Sequence, residues 1–502
     1  MLSENAHNQT GIILALDVGA TGMKVVAADA DEKGLSIRSV HAVPTRPKVI
    51  GGTAYVDIDS IIIALTDAIT ACGEEKILSV GIDTFGNGYG VLDENGMLLS
   101  LPYDYRDSRV NDIMQQVHMH YSDRELYELT GNFPFRTRGL FHLYKDVLDQ
   151  TINITKGKVF LPLTSLIEYL LTGVTGAERT FCSVLYVLDA KGETWNTEVF
   201  GELGIPTDFL LQVSEPGRIL GPVKYRCSAD IMRKQIPVIN VIGHDTESAL
   251  IMAPDMDQNH AFICMGTSFI FGTRLTQPLI NDDTCRYRFK NMRGGFGRYS
   301  LCKDFPGFWL LEQCMEIWRR EKQDLDYKDV NYACMAAPDN NTFLDINDER
   351  FRIAGQDIIE KIKAYCMQTG QTEPEGMGQL ARCIYESYCC FIRWNIDAIT
   401  LVTGNKIRVL DVFNGGTKNS CLMQMLSDAL GLPVVTNGRY ASACGNLLMQ
   451  YAVLHGIDKP EELMGIASRL TQRQVFEPQH AARTGWDRQY RNFLKIKPLD
   501  AP

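Results

Sequence analysis

The sequence predicts an α/β protein built from more than one domain. Three observations carry this. Short apolar runs alternate with segments of helical period along the chain. The chain has 502 residues, more than one hydrophobic core accommodates. Two hairpin patterns with glycine-containing turns recur roughly 250 residues apart, at Gly19–Gly22 and at Gly266–Ser268, and point to a duplicated core.

Each element has a local reason. Gly11 to Leu16 is a continuous apolar run, the pattern of a strand buried on both faces. Val25 to Ala28 returns as a second strand after Gly19, Ala20, Thr21 and Gly22, which makes a hairpin. Asp59 is placed to cap a helix through IIIALTDAIT. Ile77 to Ile82 is a further strand, and Tyr89 to Leu92 follows a glycine-rich turn. The stretch from Asn111 to Leu211 is more helical, and LTSLIEYLLT ends at Gly173. Pro237 to Ile242 is a strand that runs into Gly243-His244-Asp245. Ala261 to Met265 and Phe269 to Thr273 form the second hairpin. Helical period dominates from Gln356 to Ile399. A strand at Ile407 to Phe413, a Gly415-Gly416 turn and a helix at Ser420 to Leu430 follow. The expected domain junction lies near Gly243, giving domains 1–243 and 244–502.

Composition excludes several classes. Apolar residues make up 45% and charged residues 22%, so the chain is neither disordered nor collagen-like. Lys plus Arg number 50 against 61 Asp plus Glu, and a net charge of -11 argues against a nucleic-acid partner. The 14 cysteines include no C-x-x-C pair and sit mostly in apolar runs, as reduced core thiols do. The nine histidines are scattered, which argues against zinc. The polar N-terminus lacks a basic segment leading into a long apolar one. No run approaches the ~18 apolar residues of a membrane span. The expectation is a soluble, cytoplasmic protein.

Four segments can carry chemistry. Asp17 ends a buried strand, where a carboxylate is costly without a task. The turn after it offers backbone N–H groups suited to a polyphosphate, and Lys24 adds a cation. A plain hairpin with a cap-like Asp accounts for the same residues. In Gly243-His244-Asp245-Thr246 a strand gives way to a helix, and an ionised Asp245 there can take a proton from an alcohol. An ordinary N-cap is the alternative. Asn414-Gly415-Gly416-Thr417 is a strand-to-helix corner open to a flat ring or a phosphate, or simply a tight turn. Gly266-Thr267-Ser268 is a second candidate phosphate cradle. There is no G-x-x-x-x-G-K-[ST] and no G-x-G-x-x-G opening a helix, so neither a P-loop nor a Rossmann site is supported.

Taken in order, these segments resemble the FGGY carbohydrate kinases, and within that family the rhamnulokinase branch. The resemblance is carried by GIDTFG (81–86), YRDSR (105–109), LTG (171–173), GHDT (243–246), GTS (266–268), GFWLLE (307–312), NDERF (347–351), LARCIYES (380–387) and GGTKN (415–419). It implies a two-domain actin/Hsp70-like ATPase fold with a ribonuclease H-like duplicated core and a deep cleft between the domains. It implies ATP-dependent phosphorylation of a ketose hydroxyl, with L-rhamnulose the leading sugar and another ketose or polyol, such as fuculose or xylulose, the alternative. An actin- or Hsp70-like ATPase without a sugar and a sugar-sensing regulator are the readings from other classes. By the same resemblance Asp245 matches the catalytic base, and Gly86, His244 and Thr246 match sugar contacts. Asp304 stands where a sugar-contacting Asn is expected. Ala20, Thr21, Gly22, Met23 and Lys24 match the first phosphate loop and Thr267 the second. Gly416 matches an adenosine contact, Glu312 replaces a nucleotide-side Gln, and Asp17 matches the carboxylate that holds Mg2+. Phe85, Asn87, Gly88 and Asn414 are further departures. The implied partners are ATP and a small-molecule sugar, with a monomer or homodimer.

Overall fold

The computed structural model describes residues 10–253, 255–339, 341–351, 355 and 357–499. The first nine residues of the polar N-terminus and Gln356, the expected start of a helical stretch, lie outside the described residues.

Two mixed sheets organise the chain. In the first, Gly34–Pro44, Gly22–Asp31 and Gly11–Val18 are antiparallel neighbours. Ile77–Thr84 and then Pro237–Asn240 continue the sheet in parallel with Gly11–Val18. The second sheet repeats the plan. Tyr299–Pro306, Ser268–Leu275 and His260–Met265 are antiparallel, and Val409–Phe413 and Val434–Thr436 continue in parallel. Lys290–Arg293 and Gln474–Phe476 form its outer edges. Three antiparallel strands followed by two parallel ones, twice over, make the ribonuclease H-like duplicated core of the actin/Hsp70-like fold. The two similar hairpins are the first strands of each copy.

The apolar runs explain the strands. Ile13, Leu14, Ala15 and Leu16 are wholly buried, because helices cover both faces of the sheet. Helix Ile58–Ala71 is capped two residues earlier than expected. Asp57, not Asp59, is the N-cap and accepts from the Ser60 N–H at 3.3 Å; Asp59 lies in the first turn. Strand Pro237–Asn240 stops two residues short of Ile242, where the chain leaves the sheet for Gly243. Helix Leu163–Thr172 ends at a left-handed Gly173 as expected. The 14 cysteines are all free. Among the described residues no helix is long and apolar enough to cross a membrane.

Helix Ala441–His455 follows the last parallel strand of the second sheet but packs on the first. Its Gln450 Nε2 donates to the Leu14 carbonyl at 3.0 Å and to Asn446 Oδ1 at 2.7 Å. Ser79 Oγ donates to Gln450 Oε1 at 2.7 Å. The first core therefore draws on residues beyond 440 as well as on the segment before Gly243. Helix Asp245–Leu250 leaves the first sheet and meets this returning helix. The contact is so close that a Cβ on Gly445 would lie 1.7 Å from the Ser248 carbonyl oxygen. Beside it, Glu247 pairs with Arg274 of the second sheet at 2.6 Å, both buried.

Because Ser248 offers rigid backbone rather than a movable side chain, Gly445→Ala is expected to destabilise the protein by about 3 kcal/mol. Chemical unfolding of the variant checks this; an unchanged midpoint would mean that the two helices are not in close contact.

Candidate active site

Three carboxylates stand at the ends of three adjacent parallel strands. Asp17 ends Gly11–Val18 and is in register with Asp83 of Ile77–Thr84. Asp245 follows Pro237–Asn240, and the Thr84 N–H donates to the Gly243 carbonyl at 2.9 Å. Open α/β sheets bind ligands at this end of their strands. Lys24, facing Asp17 across the hairpin, donates to Asp17 Oδ2 at 3.1 Å. Burial pulls the Lys24 ammonium down, but the carboxylates of Asp17, Asp83 and Asp245 outweigh it and raise its pKa.

Asp83 is fully buried. Its Oδ2 accepts from Asn446 Nδ2 at 2.7 Å, and its Oδ1 has no partner. Burial first, and the Asp17 charge second, push its pKa well above the ordinary carboxylate range. Asp245 is the first residue of its helix, not the N-cap. His244 takes the cap position without a side-chain capping bond. Asp245 Oδ1 accepts from the Thr246 N–H at 2.6 Å. Burial and Asp17 push its pKa up to about 7, against the expectation that the helix start would keep it an ordinary ionised Asp. The corner is held from behind by Glu178, which accepts from the Gly243 N–H at 3.2 Å and from the Phe181 N–H at 2.9 Å.

On one side of Asp245 lies a polar wall. His244 is buried, and burial, then Lys290 and Arg138, pull its pKa down to about 3, so the ring is neutral. Gly86 packs against it: a Cβ there would lie 3.2 Å from His244 Nε2. Phe85 and Tyr105 stack obliquely with ring centroids 5.5 Å apart. Asp304 accepts from Lys290 Nζ at 2.7 Å and from Arg138. Burial opposes its ionisation, but Lys290 and Arg138 overcome it and hold the carboxyl well below its usual range.

The Gly19 N–H donates to the Gly22 carbonyl at 3.1 Å, closing the first hairpin with Thr21 exposed and Ala20 half-buried. Met23 is buried beneath it. Arg106 Nη1 donates to the Ala20 carbonyl at 3.4 Å. In the second hairpin the Trp309 N–H donates to the Thr267 carbonyl at 3.1 Å, which ties the turn to the helix at Trp309–Glu321. Gly416 packs against the same hairpin, and a Cβ there would lie 2.4 Å from that of Met265. Glu312 is engaged elsewhere: Oε1 accepts from Tyr327 at 2.5 Å and Oε2 from Arg319 at 3.2 Å.

The structure therefore brings Asp17, Lys24 and Asp245 together, groups Gly86, His244 and Asp304, and sets Gly416 against the hairpin that carries Thr267. Sequence reasoning passed over Asp83, Arg138 and Lys290. Asp83 carried a readable signal, an acid closing the apolar run ILSVGI, the same feature that singled out Asp17.

The chain matches the model of the FGGY carbohydrate kinase N-terminal domain over residues 12–252 and that of the C-terminal domain over residues 261–453. It belongs to the FGGY family of carbohydrate kinases. The kinase is 29% identical over 485 residues to a rhamnulokinase of Bacteroides thetaiotaomicron, covering 95% of this chain and 98% of that one. It is 29% identical over 457 residues to a rhamnulokinase of Enterococcus faecalis, covering 90% of each. Its fold matches a gluconate kinase from Lactobacillus acidophilus with a TM-score of 0.78 at 16% identity, covering 97% of this chain and 99% of that one. It also matches Plasmodium falciparum glycerol kinase with ADP at 0.77 and 15%, covering 97% and 98%. It is an ATP-dependent sugar kinase.

Asp83 binds a proton in the folded state that the unfolded chain releases near pH 4. Above that pH it therefore lowers stability, by up to about 1.4 kcal/mol per pH unit until its folded pKa is reached. Asp83→Asn removes the titration, so the variant should gain stability relative to the native protein as pH rises above about 4, where the unfolded carboxyl ionises. Paired thermal melts check this, and parallel pH profiles would contradict it.

Proposed function

We propose that this kinase transfers the γ-phosphoryl group of ATP to a ketose hydroxyl held between its two halves, with Asp245 as the base. L-rhamnulose, giving L-rhamnulose 1-phosphate, is the leading sugar. The observation that carries the reading is Asp245 itself: an acid of pKa about 7, a quarter exposed, beside Asp17 and Lys24 at the strand ends. A base with its pKa near the working pH suits guiding a proton from an alcohol. The sugar identity rests on the two rhamnulokinase relatives. The charged Asp304 in place of a neutral Asn favours testing fuculose and xylulose as well.

In this reading the sugar lies by Gly86, His244, Thr246 and Asp304, mainly on the first half of the chain. Ala20 to Lys24 and Thr267 hold the phosphates, and Gly416 lines the adenosine side. Phosphoryl transfer needs positioning and charge neutralisation more than a strong base. Lys24 offsets phosphate charge directly. Asp17 supplies a hard oxygen ligand of the kind Mg2+ takes, with Asp83 behind it. Among the described residues no group of three or more His, Cys, Asp or Glu can hold a metal ion. That fits Mg2+, which is usually bound through one or two carboxylates together with substrate phosphates. Mg2+ would neutralise charge on the transferring phosphoryl group. Glu312, paired with Tyr327 and Arg319, is the weakest of the proposed nucleotide contacts.

Coupled ADP release with ATP, Mg2+ and a panel of ketoses and polyols tests the function. Sugar-dependent turnover is expected, and ATP hydrolysis indifferent to every sugar would refute it. Asp245→Asn should lower kcat by ~10² or more with the fold retained. Asp245 acts as a base only when deprotonated, so native kcat/KM for the sugar should rise with pH through about 7 and then level off. A profile flat from pH 5 to 8 would remove Asp245 from that role.

A further inference from the structure

Asp304 is the exposed member of a buried charge cluster. Its side chain is 25% exposed, whereas those of Arg138 and Lys290 are 10% and 1% exposed. Arg138 precedes the helix Gly139–Leu148 in the first half of the chain, while Lys290 and Asp304 lie on neighbouring strands of the second sheet. The Arg138–Asp304 pair therefore joins the two halves.

The strand that carries Lys290 is itself fastened to the first half. Its Asn291 N–H donates to the Gly131 carbonyl at 3.0 Å, and its Arg293 N–H donates to Ser183 Oγ at 2.9 Å. Lys290 is bridged to Asn132. The cluster is thus held from both sides, and the carboxylate has little freedom to turn.

A carboxylate offers about four acceptor sites, two on each oxygen. Lys290 Nζ lies 2.7 Å from both oxygens, and Arg138 donates to Oδ2. These bonds occupy about three of the four sites, so about one remains, on Oδ1. With both cations in place Asp304 has no proton to donate. It can only accept.

We propose that Arg138 and Lys290 are positioning residues that turn Asp304 into a reader of one hydroxyl, so that the pocket selects a sugar presenting a single free hydroxyl donor to Asp304 Oδ1. This inference rests on the sugar-kinase reading and adds to it the clamp and the number of hydroxyls read. An amide at position 304 could donate as well as accept and would accommodate either kind of group. The clamped carboxylate rejects a sugar that lacks that hydroxyl or carries an ether in its place. A hydrogen bond to a charged acceptor makes this discrimination about 10- to 100-fold.

The test uses the full-length protein with saturating ATP and Mg2+. Take the best ketose of the panel and its monodeoxy derivatives, each lacking one hydroxyl that is not phosphorylated. The native enzyme should show a kcat/KM loss of about 10- to 100-fold at one position that Arg138→Gln and Lys290→Met both reduce to within about threefold. The change should fall on KM for the sugar, with KM for ATP unchanged. Arg138→Lys keeps a cation and should restore most of the discrimination, which a merely structural role would not require. If a charge-removing variant fails to fold, Asp304→Asn carries the test, and the same deoxy penalty must collapse in it. Folded variants that keep the native deoxy ratio would overturn the inference while leaving the kinase reading intact. Absence of ADP release with every sugar would overturn both.

Discussion

Three carboxylates crowded at neighbouring strand ends, with Lys24 bonded to one of them, are the constraint on which the site depends. Like charges in a poorly solvated place cannot all ionise freely. The protein resolves this unequally. Asp83 is closed off with its pKa pushed well up, Asp17 is paired with Lys24, and Asp245 is left part-exposed with its pKa near neutrality. Three chemically identical side chains thus acquire different tasks through depth and partners alone.

The fold supplies this crowding by duplication and return. The same strand plan occurs in both halves of the core, and the helix Ala441–His455 follows the second sheet but packs on the first. Asn446 and Gln450 on that helix bind Asp83 and the backbone of the Asp17 strand. A helix that follows the second sheet therefore forms part of the floor of the site.

Much of this was legible in the sequence because it is local. The hairpin turns, the Gly243-His244-Asp245 corner and the Gly415-Gly416 corner carry glycine and acid signals where a strand stops, and the structure places them at strand ends. The duplicated core followed from repetition of one hairpin. The cap at Asp57 was missed because Asp57 and Asp59 offer equivalent side chains two residues apart, and only the geometry of the turn selects one. The clamp on Asp304 was invisible for a different reason. Arg138 meets Asp304 across 166 residues, and a lone charge with so distant a partner leaves no periodicity to read. The raised pKa of Asp245 was hidden likewise, since Asp17 lies far away in sequence and helix-end reasoning alone points the other way. Which sheet the helix Ala441–His455 would cover was also unreadable: it is buried almost all round, so its sequence shows no single face.

The central claim is that a sugar hydroxyl and the terminal phosphate of ATP meet beside Asp245. A crystal structure with a non-hydrolysable ATP analogue, Mg2+ and the preferred ketose tests it most directly. The account predicts the reacting hydroxyl within about 3 Å of an Asp245 oxygen, with the γ-phosphate between it and the Gly19–Gly22 and Gly266–Ser268 turns. A nucleotide bound away from Asp17 and Lys24, or a sugar out of reach of Asp245, would contradict it.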